Sequence, residues 1–330
     1  MKKLFCFVSL MLMFAFFTSC SNEDYSCLTE EKETEISHQE NFNKFAFDEL
    51  KKEFDELGDK ARKDALANSM LTRGSGGSIF KFFKRIVNTI KADCVIGMII
   101  ADLTDNNYMA AVGGIAGSAI YYTWAKRNDA LLARALEPVP FTPTPRDTIN
   151  RNEILNNLVF PTNGSNATFV DSVGYIHNAV ILNMYEHNPH LFTREAFYQN
   201  EFLDSICSYT EKEIACRPYI VSTTDESFND VRNTIYDFRD YIADIDSIDA
   251  YTDSICNNNE TIANEWEIAS SFIETLNDLE NDQITQQQYT KQALLLVRSS
   301  ELPEHIKTSL SIGLIIAHAS EKLWSSEALP

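Results

Sequence analysis

Residues Ala92–Arg127 read ADCVIGMIIADLTDNNYMAAVGGIAGSAIYYTWAKR, and this stretch organises the chain. It contains the longest uncharged run after the first twenty residues, Asn106 to Ala125. Ala110, Gly114 and Ser118 recur every four residues, as do Gly113 and Gly117. At helical pitch that spacing lines small residues along one side, where another helix can approach closely. A shorter apolar run, Cys94 to Ala101, precedes the polar break Asp102–Thr104–Asp105–Asn106–Asn107. Two apolar helices and a polar turn make an antiparallel helical hairpin. A helix apolar all round belongs in a protein core or a membrane. Neither run clearly reaches the ~20 residues that a spanning helix needs. Burial is therefore the expectation. The alternative is a membrane-active, toxin-like protein that inserts Cys94–Ala125 into a bilayer. That alternative must meet about 2.5–3.5 kcal/mol for each of Asp102 and Asp105 near the bilayer centre.

Outward from the hairpin, periodicity of 3.6 persists and strand alternation is absent. Phe47, Leu50, Phe54, Leu57 and Ala61 mark an amphipathic helix that ends before the hinge Arg73–Gly74–Ser75–Gly76–Gly77–Ser78. Next comes a basic, aromatic segment, Ile79 to Lys91, which suits either a membrane surface or packing onto the hairpin. Prolines stop any helix in Glu137–Pro145. Beyond them, Phe169, Val173, Ile176, Val180 and Met184 form one stripe. Phe228, Val231, Ile235, Phe238, Ile242 and Ile245 form a second, and Ile262, Trp266, Ala269, Ile273 and Leu276 a third. Thr193, flanked by a Phe192–Phe197 staple, Thr223 with Glu226, and Thr285 with Gln288 read as helix starts. A final helix covers about Leu302 to Trp324. The expected fold is all-α, a helical bundle with an apolar small-residue hairpin and no substantial sheet.

The N-terminus reads MKKLFCFVSLMLMFAFFTSC. Lys2 and Lys3, then the apolar Leu4–Phe17, form a signal peptide. Its end, Phe17–Thr18–Ser19–Cys20, resembles a bacterial lipobox, which implies that Cys20 becomes the lipidated first residue. Several acyl chains would make that anchor effectively permanent. The following Ser21–Asn22–Glu23–Asp24 resembles the surface-export signal of Bacteroidota-type lipoproteins. The expected organisation is thus a signal peptide over 1–20, then an acidic tether, amphipathic helix and hinge over 21–78. The amphipathic helix and hairpin occupy 79–136, a Pro-rich linker 137–148, and an acidic helical domain 149–330.

With 330 residues, 44% of them hydrophobic, the chain can bury a sizeable core. Its formal net charge of −20 argues against nucleic acid, whose phosphates require a basic surface. The acidity peaks between Asp225 and Asp253, where only Arg232 and Arg239 oppose it, as on a solvated helix face. Five cysteines remain beyond Cys20, namely Cys27, Cys94, Cys207, Cys216 and Cys256, without metal-ligand spacing. Bridges Cys207–Cys216 or Cys216–Cys256 are possible after export, and so are free buried thiols.

Candidate chemistry is sparse. His177 lies within the stripe of Val173, Ile176, Val180 and Met184, which makes it a core histidine, and Asn178 is expected to point away. Glu186–His187–Asn188–Pro189–His190 has neither zinc-motif spacing nor an unbroken helix. Asp244–Asp249 begins like a calcium loop but lacks its glycine and closing glutamate. There is no GxSxG, phosphate loop or dinucleotide fingerprint. The expectation is a non-enzyme without cofactor, metal site or catalytic residues.

Val173–Gly174–Tyr175–Ile176–His177–Asn178, preceded by Asp171–Ser172, forms a GxxHN pattern. With the small-residue segment upstream, and Leu310–Leu314 through Ser320 to Trp324 as an apolar close, it resembles an uncharacterised family of Bacteroidota-type lipoproteins. The resemblance covers about residues 90–325 and implies origin and architecture, with no activity attached. With the lipobox and the export signal, the expectation is a lipid-anchored protein of the outer membrane, exposed at the cell surface, that acts as a structural or interaction module with protein partners there. Five Asp-Ser/Thr-apolar triplets, at Thr148, Ser172, Ser205, Ser247 and Ser254, resemble the O-glycosylation acceptors of such exported proteins. Composition alone predicts about one or two such triplets.

Overall fold

The computed structural model describes residues 25–69, 80–104, 106–136, 169–192, 200–215, 225–245, 247–279 and 282–325. Among them every regular element is helical and no strand occurs, so the fold is all-α. In chain order the helices are α1 Tyr25–Ser69, α2 Phe80–Thr104, α3 Asn107–Leu136, α4 Phe169–His187, α5 Asn200–Ala215 and α6 Asp225–Ile245. They continue with α7 Ile248–Cys256, α8 Glu260–Asp278, α9 Gln283–Ser299 and α10 Glu304–Ser325. A 3-10 turn, Pro189–Phe192, follows α4.

Ala46–Pro330 forms one compact unit and the chain up to Phe45 another; of the latter, residues 25–45 are described and helical. The expected tether over 21–40 is therefore helical from Tyr25 onward. Its polarity withholds a core, but Glu, Lys and Gln are good helix formers. The expected separation of 79–136 from 149–330 also gives way, because helices from both sides of the linker share one core. The hairpin is apolar all round, and α4, α5, α6, α7, α8 and α10 all pack against it.

Helices α2 and α3 pack side by side at the centre, with α10 laid along both and α4 across α3 and α10. Asn106 starts α3 by accepting from the Tyr108 amide at 3.0 Å and the Met109 amide at 3.3 Å. Both lines of small residues are used. Gly113 and Gly117 face α2, where a Cβ on Gly117 would stand 2.9 Å from the Ala92 carbonyl oxygen. Gly114 faces Ile316 of α10, Ala110 joins a cluster with Ile312 and Ile316, and Ser118 meets Trp324. Small side chains let three helices approach closely, and each fully buried Ile or Leu brought along contributes about 1.5–3 kcal/mol. No described helix is long and apolar enough to cross a membrane.

The outer helices follow their stripes. Val231, Ile235, Phe238 and Ile242 of α6 are buried, whereas Ile245 is half exposed, so that seam ends one turn early. Asp230, Asp237, Asp240 and Asp244 occupy the solvated side. Ser247 starts α7, whose Ala250 amide donates to Ser247 Oγ at 3.2 Å. Asn259 caps α8 in the same way. The cap of α9 is Asp282 rather than Thr285: the Thr285 amide and hydroxyl both donate to its carboxylate. A carboxylate at a helix N-terminus also gains from the helix dipole. On α1, Arg62 pairs with Asp278 at 2.8 Å and donates to Thr275 at 2.9 Å, docking that helix on α8. The starts expected at Thr193 and Thr223, the hinge and the linker lie outside the described residues.

Candidate functional site

The GxxHN pattern, the small-residue stripe and the Ser…Trp close converge on one buried polar centre. Gly174 lets α4 meet α10, since a Cβ there would stand 3.0–3.1 Å from Ile315 and Ala319 atoms. That approach brings His177 and Asn178 against the hairpin and α10. Asn178 Nδ2 donates to the Ala319 carbonyl at 2.8 Å, which leaves Asn178 Oδ1 to accept from His177 Nδ1 at 2.8 Å. Asn178 is thus fully buried instead of pointing away. Helix α4 is packed by α3, α5 and α10, and its buried arc is wider than the apolar stripe.

On the far side of the ring, His177 Nε2 stands 3.5 Å from Asp93 Oδ2, a long ion-pair distance rather than a full hydrogen bond. Ser320 donates its hydroxyl proton to the same oxygen. Trp324 Nε1 donates to Ser118 Oγ at 2.9 Å. Asp93 Oδ1 and His177 Nε2 have no hydrogen-bond partner among the described residues. Burial pushes the Asp93 carboxyl above its ordinary range, and His177, Ser320 and Ser118 pull it part of the way back.

Serine, histidine and aspartate together suggest hydrolytic chemistry, but the arrangement does not supply it. All three are 0% exposed, and no substrate atom can reach them. The order is also wrong. Ser320 donates to the carboxylate, not to the imidazole, and His177 is not placed to take its proton. What the cluster does is join α2, α3, α4 and α10 through directional contacts.

Two further polar sets stiffen the other side. Glu265 of α8 accepts from Ser309 of α10 at 2.8 Å while its second oxygen is unpartnered among the described residues. Burial pushes its carboxyl up to about 8; Asp102 adds to the shift and the Ser309 bond opposes it. Lys322 donates to Gln286 of α9 and lies 3.1 Å from Glu321, and Gln286 in turn donates to the Leu276 carbonyl at 3.1 Å.

On the surface, a shallow open groove of about 560 Å³ lies between α1, α7 and α8, lined by Trp266, Lys51, Asp55, Asp253, Glu267 and Glu274 among others. Lys51 is already paired with Glu267, and Asp55 accepts from Ser271 at 3.3 Å. No trio of described His, Cys, Asp or Glu side chains is spaced to hold a metal ion. Cys94, Cys207 and Cys256 are free thiols, so neither Cys207 nor Cys256 is bridged. Burial raises the Cys207 thiol to about 11, which keeps it protonated and inert.

The remaining sequence candidates fall as follows. Ala110, Gly113, Gly114, Gly117 and Ser118 are the buried seam described above. Of the glycosylation candidates, Ser172 is 3% exposed, which removes it as an acceptor on the folded chain; Ser205 and Ser247 are half-buried, and Ser254 is exposed. Thr148 and Cys20 lie outside the described residues. Sequence reasoning missed Asp93 and Glu265. Each had a signal: Asp93 is a lone charge entering an apolar run, and Glu265 lies three residues after Ile262 and four before Ala269.

The fold and its sealed centre define an all-α protein built around an apolar hairpin. Compared with known proteins, the chain matches no family model, no curated protein and no solved structure.

Proposed function

We propose that this chain is a lipid-anchored helical module of the outer membrane, facing outward, which acts as a structural or interaction partner at the cell envelope and not as a catalyst. One observation supports the reading. The residues with the most chemical potential, Asp93, His177, Ser118 and Ser320, are all enclosed in the core and contact only each other and their neighbours. Groups used in this way specify architecture, and the exposed surface is left to meet partners. That surface is acidic along α6 and α7, which favours basic or amine-bearing partners over nucleic acid. Ser254, the exposed member of the Asp-Ser-Ile triplets, is the acceptor best suited to carry a glycan.

Metabolic labelling with a palmitate analogue tests the anchor. Wild type incorporates label and Cys20→Ala loses it; equal labelling of the two refutes lipidation at Cys20. Protease treatment of intact cells then reads the face, with the chain digested if it faces outward and protected if it faces the periplasm.

A further inference from the structure

We propose that Asp93 and His177 share one proton sealed in the core, and that this proton latches the α2–α3 hairpin to α4 and α10. The Ala319 carbonyl can only accept, so Asn178 must present its amide nitrogen there and its carbonyl oxygen to His177 Nδ1. An oxygen acceptor at 2.8 Å requires a proton on Nδ1. In a neutral ring Nε2 then carries a lone pair, and that lone pair faces Asp93 Oδ2 at 3.5 Å. Two acceptors without a proton between them repel in a site that water does not reach. The contact holds only if one more proton is present, either on Nε2, giving an ion pair, or on the carboxyl.

Other charges do not substitute for it. Helix α3 carries no charged side chain over residues 107–125, and His177 is the group that α4 directs at Asp93. On α10, Glu321 and Lys322 neutralise each other and His318 engages Thr290 at 3.2 Å. On α2 itself, Lys91 is held by Asp249 of α7, and the Cys94 thiol is driven upward by burial. On α6, Arg239 pairs with Asp240, and on α8 Glu265 is bound to Ser309. Among the described residues, the groups that act on Asp93 are His177, Ser320 and Ser118.

The sign follows from counting protons. An unfolded chain has an aspartate that titrates near about 3.9 and a histidine near about 6.5. Between these values it holds the same single extra proton as the folded pair, so the pair adds no pH dependence. Above about 6.5 the unfolded side has lost that proton while the latch retains it. Opening is then favoured tenfold per pH unit until the folded pair itself deprotonates. Below about 3.9 the unfolded side binds a second proton and opening is favoured again.

The test uses the full chain in mild detergent, with Glu265→Gln as the background so that the buried Glu265 carboxyl is silent. Hydrogen exchange of α2 and α3 amides is read from pH 5 to 9, with the known pH dependence of intrinsic exchange removed. In that background the opening constant should stay level to about pH 6.5 and then rise about tenfold per unit. Adding Asp93→Asn should reverse the profile: the amide donates to the Nε2 lone pair and to Ser320 and holds the ring neutral, so opening is level above about pH 6.5 and rises about tenfold per unit as pH falls below it. A second readout needs no further variant. At pH 7 the ring nitrogen shifts of His177 and the carboxyl carbon shift of Asp93 should report one proton between them. A profile unchanged by Asp93→Asn overturns the proposal, and so does a singly protonated His177 ring beside an ionised Asp93. If Asp93→Asn does not fold, the spectroscopic readout decides the matter alone.

Discussion

Raising the pH from about 5 to about 8 is expected to lower the thermal midpoint of the wild-type chain on the order of 10 °C, with Glu265 as the main cause. Burial moves this carboxyl from its ordinary value of 4.5 to about 8. Over that interval the folded chain holds a proton that the unfolded chain has given up, so stability is highest at the acid end and is lost as pH rises through the folded value. A shift of that size corresponds to roughly 4–5 kcal/mol. Glu265→Gln replaces the acid by a neutral group of the same shape that can still accept from Ser309. Its midpoint should be level from about pH 4.5 to 6.5, and the slope that remains above belongs to the Asp93–His177 pair. A wild-type midpoint that is level across this whole range would show that Glu265 is solvated in solution.

Gly117→Leu is expected to abolish folding or to lower stability by about 3 kcal/mol or more, at the upper end of what overpacking costs. The obstacle at Gly117 is backbone, the Ala92 carbonyl oxygen at 2.9 Å from where a Cβ would sit, and it cannot rotate aside. Gly113 is the control. A Cβ there would meet Ile100 Cδ1, the end of a flexible side chain, and alanine gains up to about 1 kcal/mol over glycine in a helix. Gly113→Ala should therefore change stability by less than about 1 kcal/mol, and Gly117→Ala should lose about 1–3. Thermal melts of the three variants read this directly. Dye-loaded liposomes incubated with the wild-type chain are expected to keep their dye, since the hairpin's apolar faces are occupied by α4, α6, α8 and α10. Leakage that disappears in a folded glycine variant would instead favour insertion of the hairpin.

The helices were legible because their buried apolar residues recur at helical pitch. Val173, Ile176, Val180 and Met184, or Val231, Ile235, Phe238 and Ile242, step by three or four, and the structure buries them. The hairpin was legible from its polar break and its small residues. Its neighbours were not, because a helix apolar all round carries no mark of which side meets which partner. His177 was readable as a core residue from its position on the stripe, but Asn178 was not. Its burial depends on α10 arriving from a distant part of the chain, and Trp324 reaches Ser118 across 206 residues of sequence. Helical periodicity describes one helix at a time, whereas the polar centre is made of contacts among four.

The position of α10 after all the helices it covers has a consequence for synthesis. Chains emerge N-terminus first, and domains complete their folding only when all their core-forming segments are available. Here the segment that covers Gly97, Gly114 and Gly174 is Gly313–Trp324, near the end of the sequence. Until it has emerged from the ribosome, α2, α3 and α4 have apolar surface without its native cover, and the Asp93 carboxylate lacks its Ser320 contact. Until α10 follows, that apolar surface depends on whatever shields nascent apolar segments.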